Sequence, residues 1–278
     1  MSYLSRIDHA FSDAPVLPLS ENGRYVLFSD CHRGIGTSND NFLKNQHLYF
    51  AALNYYYQHS FCYIELGDGD ELWENRSFSA IQNIHSNVFW LLSLFYEEHR
   101  LFMLFGNHDI AKKDFHPFSD CCFHEGLRLK DCVTGQELYL THGHQADFFN
   151  STLWRLSCFL VRYLWKPLEQ FGVLDPTSAA KNYKVKNKTE QRLQEWTKLH
   201  KKILITGHTH RPVLGSKDSL YFNTGSCVHP RCITCIELVH RELSLVKWTP
   251  STKPDRTLFV AREVLAGPVG LDDLLKYS

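Results

Sequence analysis

The chain has no excess of charge of either sign, because 30 lysine and arginine residues balance 30 aspartate and glutamate residues. No overall electrostatic field therefore favours nucleic acid or an anionic membrane, and any attraction of anions must be local. The sequence also lacks an apolar run, free of charged residues, that reaches the roughly 18 residues of a membrane span. These absences count against a nucleic acid partner and against a membrane-spanning protein.

The sequence shows no sign of export. Its first residues, MSYLSRIDHAFSDAP, include Asp8 and Asp13 and have no apolar centre, so they do not form a secretory signal. Nine cysteines is an odd number, which in a chain of 278 residues favours reduced thiols over a disulfide framework. We therefore expect a cytoplasmic protein.

Strand-like and helix-like segments alternate along the first two-thirds of the chain. Arg24–Asp30 and Phe61–Asp68 are rich in residues that favour strands, and each precedes a segment with helical apolar spacing, Phe42–Ser60 and Phe78–Arg100. Four more strands are predicted from RLFMLFGNHD, ELYLTHGH, KILITGHTH and LYFNTGS. The alternation predicts an α/β fold with a largely parallel sheet, in which ligands bind beyond the carboxyl ends of the strands.

Side chains that bind metals follow five of these strands, at the point where each strand ends. They lie in SDCHRG, GDGDE, GNHD, THGH and GHTH, and the residues are Asp30, His32, Asp68, Asn107, His108, His142, His208 and His210. One Asp-x-His or His-x-His pair is often incidental, but five such strand ends in one register are hard to attribute to chance. His144 is the alternative to His142 if the register of that strand differs.

The mixture of carboxylate, imidazole and amide groups suits manganese, iron or zinc, and the lack of thiolates argues against a structural zinc site. Seven ligands from among these eight side chains already exceed what one ion needs. They suit two ions about 3.5–4 Å apart that share one carboxylate, as in two-metal sites of phosphoryl transfer. Such a pair would polarise the phosphoryl oxygens while a bridging hydroxide attacks phosphorus.

The motifs DxH, GDxxE, GNHD, His and GHTH, in this order, resemble those of the calcineurin-like metallophosphoesterase superfamily over roughly Tyr25 to Trp248. The resemblance implies a two-sheet β-sandwich flanked by helices. It implies that one metal ion has Asp30, His32 and His210 as ligands. It implies that the other has Asn107, His142 and His208, with Asp68 bridging the two.

The resemblance also implies roles for residues that do not bind metal. His108 would lie near the leaving group, as a general acid or as a stabiliser of developing charge. Glu71 stands where many members have Asp, and it would orient and charge His108 through a hydrogen bond. Arg33 and Arg76 flank the motifs and are candidates for binding the substrate phosphate, with a plain surface charge as the alternative for each.

An apolar segment lies between the fourth and fifth motifs, FFNSTLWRLSCFLVRYLWKPLEQF from Phe148 to Phe171. It is either a core helix or part of a helical insertion, at about residues 148–200, that caps the metal edge and receives an apolar part of a substrate or a membrane surface. An insertion in this place resembles UDP-2,3-diacylglucosamine pyrophosphohydrolases, which are manganese enzymes that cleave a nucleotide-sugar pyrophosphate bond. Where that group has His-Gly-Asp, this chain has THGH.

A catalytic domain is predicted over residues 1–248. The segment TPSTKPDRT, Thr249–Thr257, predicts the end of the catalytic core, so residues 249–278 would be a C-terminal extension that packs on it. The sequence does not indicate a role for this extension or an oligomeric state.

We expect a phosphoesterase with two divalent ions, manganese first and iron or zinc as alternatives, that hydrolyses a phosphodiester or pyrophosphate bond. Its substrate would be a small molecule, lipid-linked or a nucleotide sugar, with peripheral membrane contact as an option. The alternatives are a phosphomonoesterase, including a protein phosphatase, a nuclease and a non-catalytic scaffold. The lack of a basic and aromatic strand platform counts against the nuclease. The presence of His108 and Glu71 counts against the scaffold.

Overall fold

The computed structural model describes residues 1–37, 40–114, 118, 123–165 and 182–275. Its architecture is α/β. Within these ranges, twelve strands form two mixed sheets, one of seven strands and one of five. The predicted strand and helix alternation therefore produces two sheets where the sequence pattern indicated one.

The seven-stranded sheet has the order β12-β11-β10-β2-β3-β4-β5. Its four parallel strands are β2 (Arg24–Phe28), β3 (Cys62–Leu66), β4 (Leu101–Leu104) and β5 (Phe123–His124). Its antiparallel strands are β10 (Ile233–Val239), β11 (Glu242–Thr252) and β12 (Leu258–Gly270). The carboxyl ends of β2, β3 and β4 therefore lie at one edge, which carries the first three predicted motifs.

The five-stranded sheet has the order β1-β6-β7-β8-β9. Its strands are β1 (Val16–Leu19), β6 (Gly126–Asp131), β7 (Glu137–Thr141), β8 (Ile203–Thr206) and β9 (Tyr221–Asn223). β7 and β8 are parallel neighbours, so their carboxyl ends deliver the fourth and fifth motifs side by side.

Eight α-helices are described: α1 (Tyr3–His9), α2 (Gln46–Gln58), α3 (Phe78–Ile84), α4 (Ser86–Glu97), α5 (Phe148–Ser151), α6 (Trp154–Leu160), α7 (Tyr183–His200) and α8 (Leu271–Leu275). Short 3-10 helices cover Ile110–Asp114 and His144–Ala146, and a π-helical turn covers Val161–Trp165. No helix in the described ranges is long and apolar enough to cross a membrane.

The prediction of one helix over Phe78–Arg100 is wrong, because the segment forms α3 and α4. The break is at His85, whose backbone leaves the helical region with φ −104° and ψ 33°. Its buried imidazole Nε2 lies 3.0 Å from Asp40 Oδ2. This tertiary contact fixes the side chain at a position where apolar spacing alone predicts a continuous helix.

The two sheets pack face to face. One buried cluster joins Leu27 and Ile64 of the larger sheet to Leu140 and Ile205 of the smaller one. A second cluster packs α2 and α4 on the outer face of the larger sheet. A third packs α1 and α7 on the smaller sheet. This layering is compatible with the predicted two-sheet sandwich flanked by helices.

The C-terminal segment is part of the larger sheet. The residues Thr249–Thr257, predicted to end the core after Trp248, instead contain the last part of β11 and the turn to β12. Beyond Trp248, β11 pairs only with β12, and a proline such as Pro250 is tolerated in a strand that is unpaired on one side. The predicted extension 249–278 thus supplies the edge strand of the sheet, and Leu271 and Leu274 of α8 are buried between the sheets.

The insertion segment, residues 148–165, contains α5, α6 and the π-helical turn. Residues 166–171 of the predicted apolar stretch lie outside the described residues. Several large apolar side chains of the insertion segment are about half exposed, namely Phe148, Phe149, Leu156, Phe159, Tyr163 and Leu164. The segment therefore does not have the buried apolar surface expected of a core helix.

Candidate metal centre

The predicted ligands sit in strained backbone at the ends of the strands. Five of the seven have a positive φ, between 48° and 66°, and they are Asp30, His32, Asp68, His208 and His210. Left-handed backbone is uncommon for residues other than glycine and costs about 1–3 kcal/mol each, so it is retained where the surrounding structure enforces it. Such residues concentrate at functional sites.

Main-chain hydrogen bonds join the first two motif loops. The N–H of Asp30 donates to the Gly67 carbonyl at 3.1 Å, and the N–H of His32 donates to the Asp68 carbonyl at 2.9 Å. A third motif approaches closely at Gly106, where an added Cβ would lie 2.1 Å from Asp68 Oδ1. Glycine at this position lets the GNHD loop come within reach of the Asp68 carboxylate.

One group of ligands comes from the first and fifth motifs. The ligand atoms of Asp30, His32 and His210 all lie within 4.8 Å of one another. His210 Nε2 is 3.0 Å from Asp30 Oδ1, and His32 Nε2 is 3.4 Å from His210 Nε2. The other oxygen of Asp30, Oδ2, accepts hydrogen bonds from the His208 backbone N–H at 2.9 Å and from the Ser29 hydroxyl, which fixes the carboxylate.

A second group joins the second, fourth and fifth motifs. The ligand atoms of Asp68, His142 and His208 also lie within 4.8 Å of one another. Asp68 Oδ2 is 3.1 Å from His142 Nε2 in this group and 3.9 Å from His32 Nε2 in the first. Asp68 therefore lies between the two groups, which is the place of a carboxylate that serves both.

Buried polar atoms without partners mark the same place. Among the described residues, Asn107 Oδ1 and His208 Nε2 are buried and have no hydrogen-bond partner. The same is true of Asp30 Oδ1 and His142 Nε2, whose short contacts lack hydrogen-bond geometry. Burying an unpaired polar atom costs about 1–3 kcal/mol, so four such atoms in one place call for a ligand. Their oxygens and nitrogens are the donors that divalent manganese, iron or zinc accepts.

Local charges keep the carboxylates ionised. Although burial opposes ionisation, His142 and His108 hold the pKa of Asp68 well below its usual value. Burial likewise opposes ionisation of Asp30, but His210 lowers its pKa. Burial lowers the pKa of His210 to about 4, despite the neighbouring Asp30. The carboxylates and His210 are thus in the forms that bind a divalent cation. For the other two imidazoles burial is outweighed: Glu71 raises the pKa of His32 to about 10 and Asp68 raises the pKa of His142 to about 9, so each must lose a proton when a cation binds.

His108 lies beside these groups and contacts Glu71, the carboxylate that the resemblance pairs with it. His108 Nδ1 is 2.8 Å from Glu71 Oε1. The other oxygen, Glu71 Oε2, is 2.8 Å from Nδ1 of His32. Burial lowers the pKa of His108, but Glu71 and Asp68 outweigh it and raise this pKa above its usual value. One carboxylate therefore contacts two imidazoles. The ligand atoms of His32, Glu71 and His108 also lie within 4.8 Å of one another, so His32 belongs both to this group and to the group with Asp30 and His210.

The prediction that Arg33 binds substrate phosphate is wrong. Its side chain is fully buried and donates to Glu65 Oε2 at 2.9 Å and to Asp70 Oδ1 at 2.7 Å. Lys112, also fully buried, is 2.8 Å from Asp109 Oδ2. These residues form a charge cluster, defined as Arg33, Glu65, Asp70, Asp109 and Lys112.

The charge cluster supports the ligand loops without contacting solvent. Asp109 accepts hydrogen bonds from the backbone N–H groups of Gly106 at 2.7 Å, Gly69 at 3.0 Å and Asp68 at 3.1 Å. Asp70 and Asp109 belong to the GDGDE and GNHD motifs, whereas Glu65 and Lys112 lie outside the motifs. A lysine three residues after Asp109 gave no signal, because the pairing depends on the 3-10 helix that follows the motif.

Arg76 and His144 have different surroundings. Arg76 is exposed, and its guanidinium donates to the Tyr163 hydroxyl of the insertion segment. His144 is 3% exposed, and its ring centroid lies 5.5 Å from that of His142. Its ring atoms are not among the ligand groups, which include His142. The structure thus favours His142 over His144 as the ligand of the fourth motif.

Trp73, two residues after Glu71, also lies at the site, although the sequence did not indicate it. Its indole ring stacks on the His108 imidazole, with ring centroids 4.2 Å apart. The tryptophan carries no recognised motif, so only the fold brings it to the site.

The comparisons with known proteins leave the site to be judged on its geometry. No protein-family model matches the chain, and a search of curated proteins gives no significant match.

Proposed function

We propose that this protein is a dinuclear metal-dependent phosphoesterase of the calcineurin-like metallophosphoesterase type. The observation that carries the proposal is the position of Asp68 between two groups of histidine and aspartate ligands, with His108 held beside them. Two mixed sheets that meet at these ligands support the assignment of the metallophosphoesterase fold.

In this proposal each metal ion has a defined set of ligands. Asp30, His32 and His210 hold one ion, Asn107, His142 and His208 hold the other, and Asp68 serves both. Two divalent ions bound there supply Lewis-acid polarisation of the phosphoryl oxygens and activation of water. Manganese is our first choice, with iron and zinc as the alternatives that the same ligands accept.

In this proposal, His108 and Glu71 act on the leaving group. Glu71 holds the Nδ1 proton of His108, which leaves Nε2 as the nitrogen that can give a proton to the departing oxygen. Backbone also fixes this residue, because the His108 N–H donates to Asp68 Oδ1 at 2.8 Å. His108 is thereby tied to the shared ligand by its main chain and to Glu71 by its side chain.

The substrate in this proposal is a phosphodiester or pyrophosphate that carries an apolar group. Support comes from the half-exposed aromatic rings of the insertion segment, Phe149, Phe159 and Tyr163. The segment lies against the loop that follows Glu71, because Arg162 donates to the carbonyls of Leu72 and Trp73. An apolar surface thus adjoins the polar centre, as ligand sites for amphipathic molecules require.

The test is metal binding and hydrolysis by Asp68→Ala, with Asp255→Ala in the exposed β11–β12 turn as the matched control. We expect wild type and the control to bind two Mn²⁺ per chain and to hydrolyse a phosphodiester. Asp68→Ala should bind fewer ions and lose activity to background, because one carboxylate serves both groups. Normal metal stoichiometry in Asp68→Ala would overturn the proposal.

Substrate class is tested on the wild type with three compounds: a chromogenic phosphomonoester, a chromogenic phosphodiester and a lipid-linked nucleotide pyrophosphate. Faster cleavage of the lipid-linked compound supports the apolar-substrate proposal. Preference for the monoester would replace it with a phosphomonoesterase.

A further inference from the structure

Trp73 covers one face of the His108 imidazole. The two rings are nearly parallel, with planes inclined by 26° and centroids 4.2 Å apart. Trp73 is only 3% exposed, although it lies in a turn and not in a strand or helix. A buried indole packed on a single imidazole restricts the rotation of that imidazole about its side-chain bonds.

His108 is thus held from three directions. Glu71 contacts its Nδ1 at 2.8 Å, the edge of the His32 ring meets it with centroids 4.7 Å apart, and Trp73 stacks on its face. The His108 side chain is nevertheless 21% exposed. The nitrogen left for chemistry is Nε2, and its direction depends on all three contacts.

The insertion segment holds the backbone that carries Trp73. Arg162 Nε donates to the Trp73 carbonyl at 2.6 Å, and Arg162 Nη2 donates to the Leu72 carbonyl at 3.0 Å. The neighbouring Arg155 makes a different contact, with its guanidinium carbon 5.4 Å from the Trp154 ring. Arg162 therefore links the insertion segment to the loop beneath His108, and Arg155 offers a matched control.

We infer that Trp73 is a positioning residue for His108 and that Arg162 couples this role to the insertion segment. The inference rests on the proposed function, in which His108 gives its Nε2 proton to the leaving oxygen as the phosphorus–oxygen bond breaks. Stacking keeps Nε2 directed at that oxygen. The insertion segment then has two tasks, contact with the substrate and control of the proton donor.

The first test compares Trp73→Leu with Trp73→Phe on two aryl phosphodiesters, one with a 4-nitrophenolate and one with a phenolate leaving group. Phenylalanine keeps a stacked ring, whereas leucine does not. Trp73→Leu should lose roughly tenfold in kcat on the phenyl ester, a part of the 10²–10⁴-fold that proton donation supplies. It should lose less on the nitrophenyl ester, because that leaving group needs little protonation, and KM should change little.

Trp73→Phe should retain most of the kcat that Trp73→Leu loses. In the His108→Ala background, Trp73→Leu should cause no further loss, since residues that act through one another are not additive. Equal losses on both esters, or full additivity with His108→Ala, would overturn the inference. Arg162→Met should give a smaller loss with the same dependence on leaving group, while Arg155→Met should match wild type. These variants carry the test if Trp73→Leu fails to fold.

A second measurement does not depend on activity. In NMR spectra of the metal-free protein, the ring protons of His108 should be shifted upfield by the Trp73 ring, with His108→Ala providing the assignment. The shift should persist in Trp73→Phe and disappear in Trp73→Leu. A wild type that hydrolyses no phosphoester would refute the proposed function, whereas an absent ring-current shift would refute the positioning role.

Discussion

Two buried clusters of metal-binding side chains meet at the Gly67–Glu71 turn, and they differ in how their charge is balanced. In the charge cluster, Glu65, Asp70 and Asp109 have the spacing of metal ligands, but Arg33 and Lys112 already pair with them. In the ligand groups around Asp68, the partners are histidines, and four buried polar atoms have no hydrogen-bond partner.

The ligand groups around Asp68 can bind a cation, whereas the charge cluster supports the neighbouring loops. Three buried acids that have two cations of their own gain nothing from a metal ion. One of them, Asp109, accepts hydrogen bonds from the backbone of the ligand loops. Buried ligands that lack partners remain costly until something binds them. Proximity of acidic groups therefore identifies both clusters. In the charge cluster the buried polar atom without a hydrogen-bond partner is Lys112 Nζ, which has Asp70 and Asp109 as ion-pair partners, whereas around Asp68 the atoms without partners are potential metal ligands.

The largest expected effect is on the charge cluster. Arg33→Met should lower the free energy of unfolding by about 3–5 kcal/mol, because it leaves Glu65 and Asp70 buried with less positive charge. The measurement is urea denaturation of the metal-free protein. Arg76→Met, which removes an exposed arginine, should change stability by less than about 0.5 kcal/mol. Equal stability of the two variants would mean that Arg33 does not balance the buried acids.

The opposite pattern is expected in the ligand groups. Asn107→Ala removes a buried oxygen without a partner, so the metal-free protein should keep its stability to within about 1 kcal/mol. Its affinity for Mn²⁺ should fall by roughly 10–100-fold, or about 1.4–2.7 kcal/mol, measured by isothermal titration calorimetry. Asn54→Ala in α2 is the control and should bind as wild type does. A large loss of metal-free stability with unchanged Mn²⁺ affinity would mean that Asn107 stabilises the fold and does not bind the metal ion.

A third, smaller effect concerns a buried acid with one histidine partner. Asp40 accepts hydrogen bonds from the backbone N–H groups of Gly36 at 3.0 Å and of Phe42 and Leu43 at 3.1 Å, and His85 Nε2 lies 3.0 Å from it. Although burial opposes ionisation, His85 and the Gly36 N–H lower the pKa of Asp40 below its usual 3.8. The stabilisation is thus fully present above pH 3.8 and is lost as pH falls through the lower, folded-state pKa.

Asp40→Asn should therefore be less stable than wild type by about 1 kcal/mol at neutral pH. The difference in stability should shrink as the pH falls below 3.8. Thermal unfolding of both proteins at several pH values measures it. A difference that does not depend on pH would show that the carboxylate charge is not what stabilises this contact.

More of the candidate site than of the fold could be predicted from the sequence motifs. Placing Asp30 and Asp68 side by side requires only that the parallel strands β2 and β3 share an edge. His208 follows β8 of the other sheet, and it joins Asp68 because the two sheets pack face to face. The division into two sheets was implied by the family resemblance and not by the periodicity, and the break at His85 and the course of β11 beyond Trp248 were not predicted. Each depends on a contact between segments far apart in the chain, which periodicity cannot express.

The two arginines show the same limit. The sequence could not separate Arg33 from Arg76, because each is a cation next to a motif. Burial separates them: Arg33 is enclosed by acids from β3 and the following turn, while Arg76 lies on the surface against Tyr163.

By itself, the sequence determined which groups can bind metal and that they follow strand ends, since both depend on residue type and local periodicity. The tertiary structure locates Asp68 between two ligand groups, where the family resemblance implied a bridging carboxylate. Only the tertiary structure decided that Arg33 and Lys112 pair with a neighbouring set of acids. It also decided that Trp73 packs on His108. These outcomes depend on which loops meet in space, and a buried charge or ring acquires its role from the atoms that surround it.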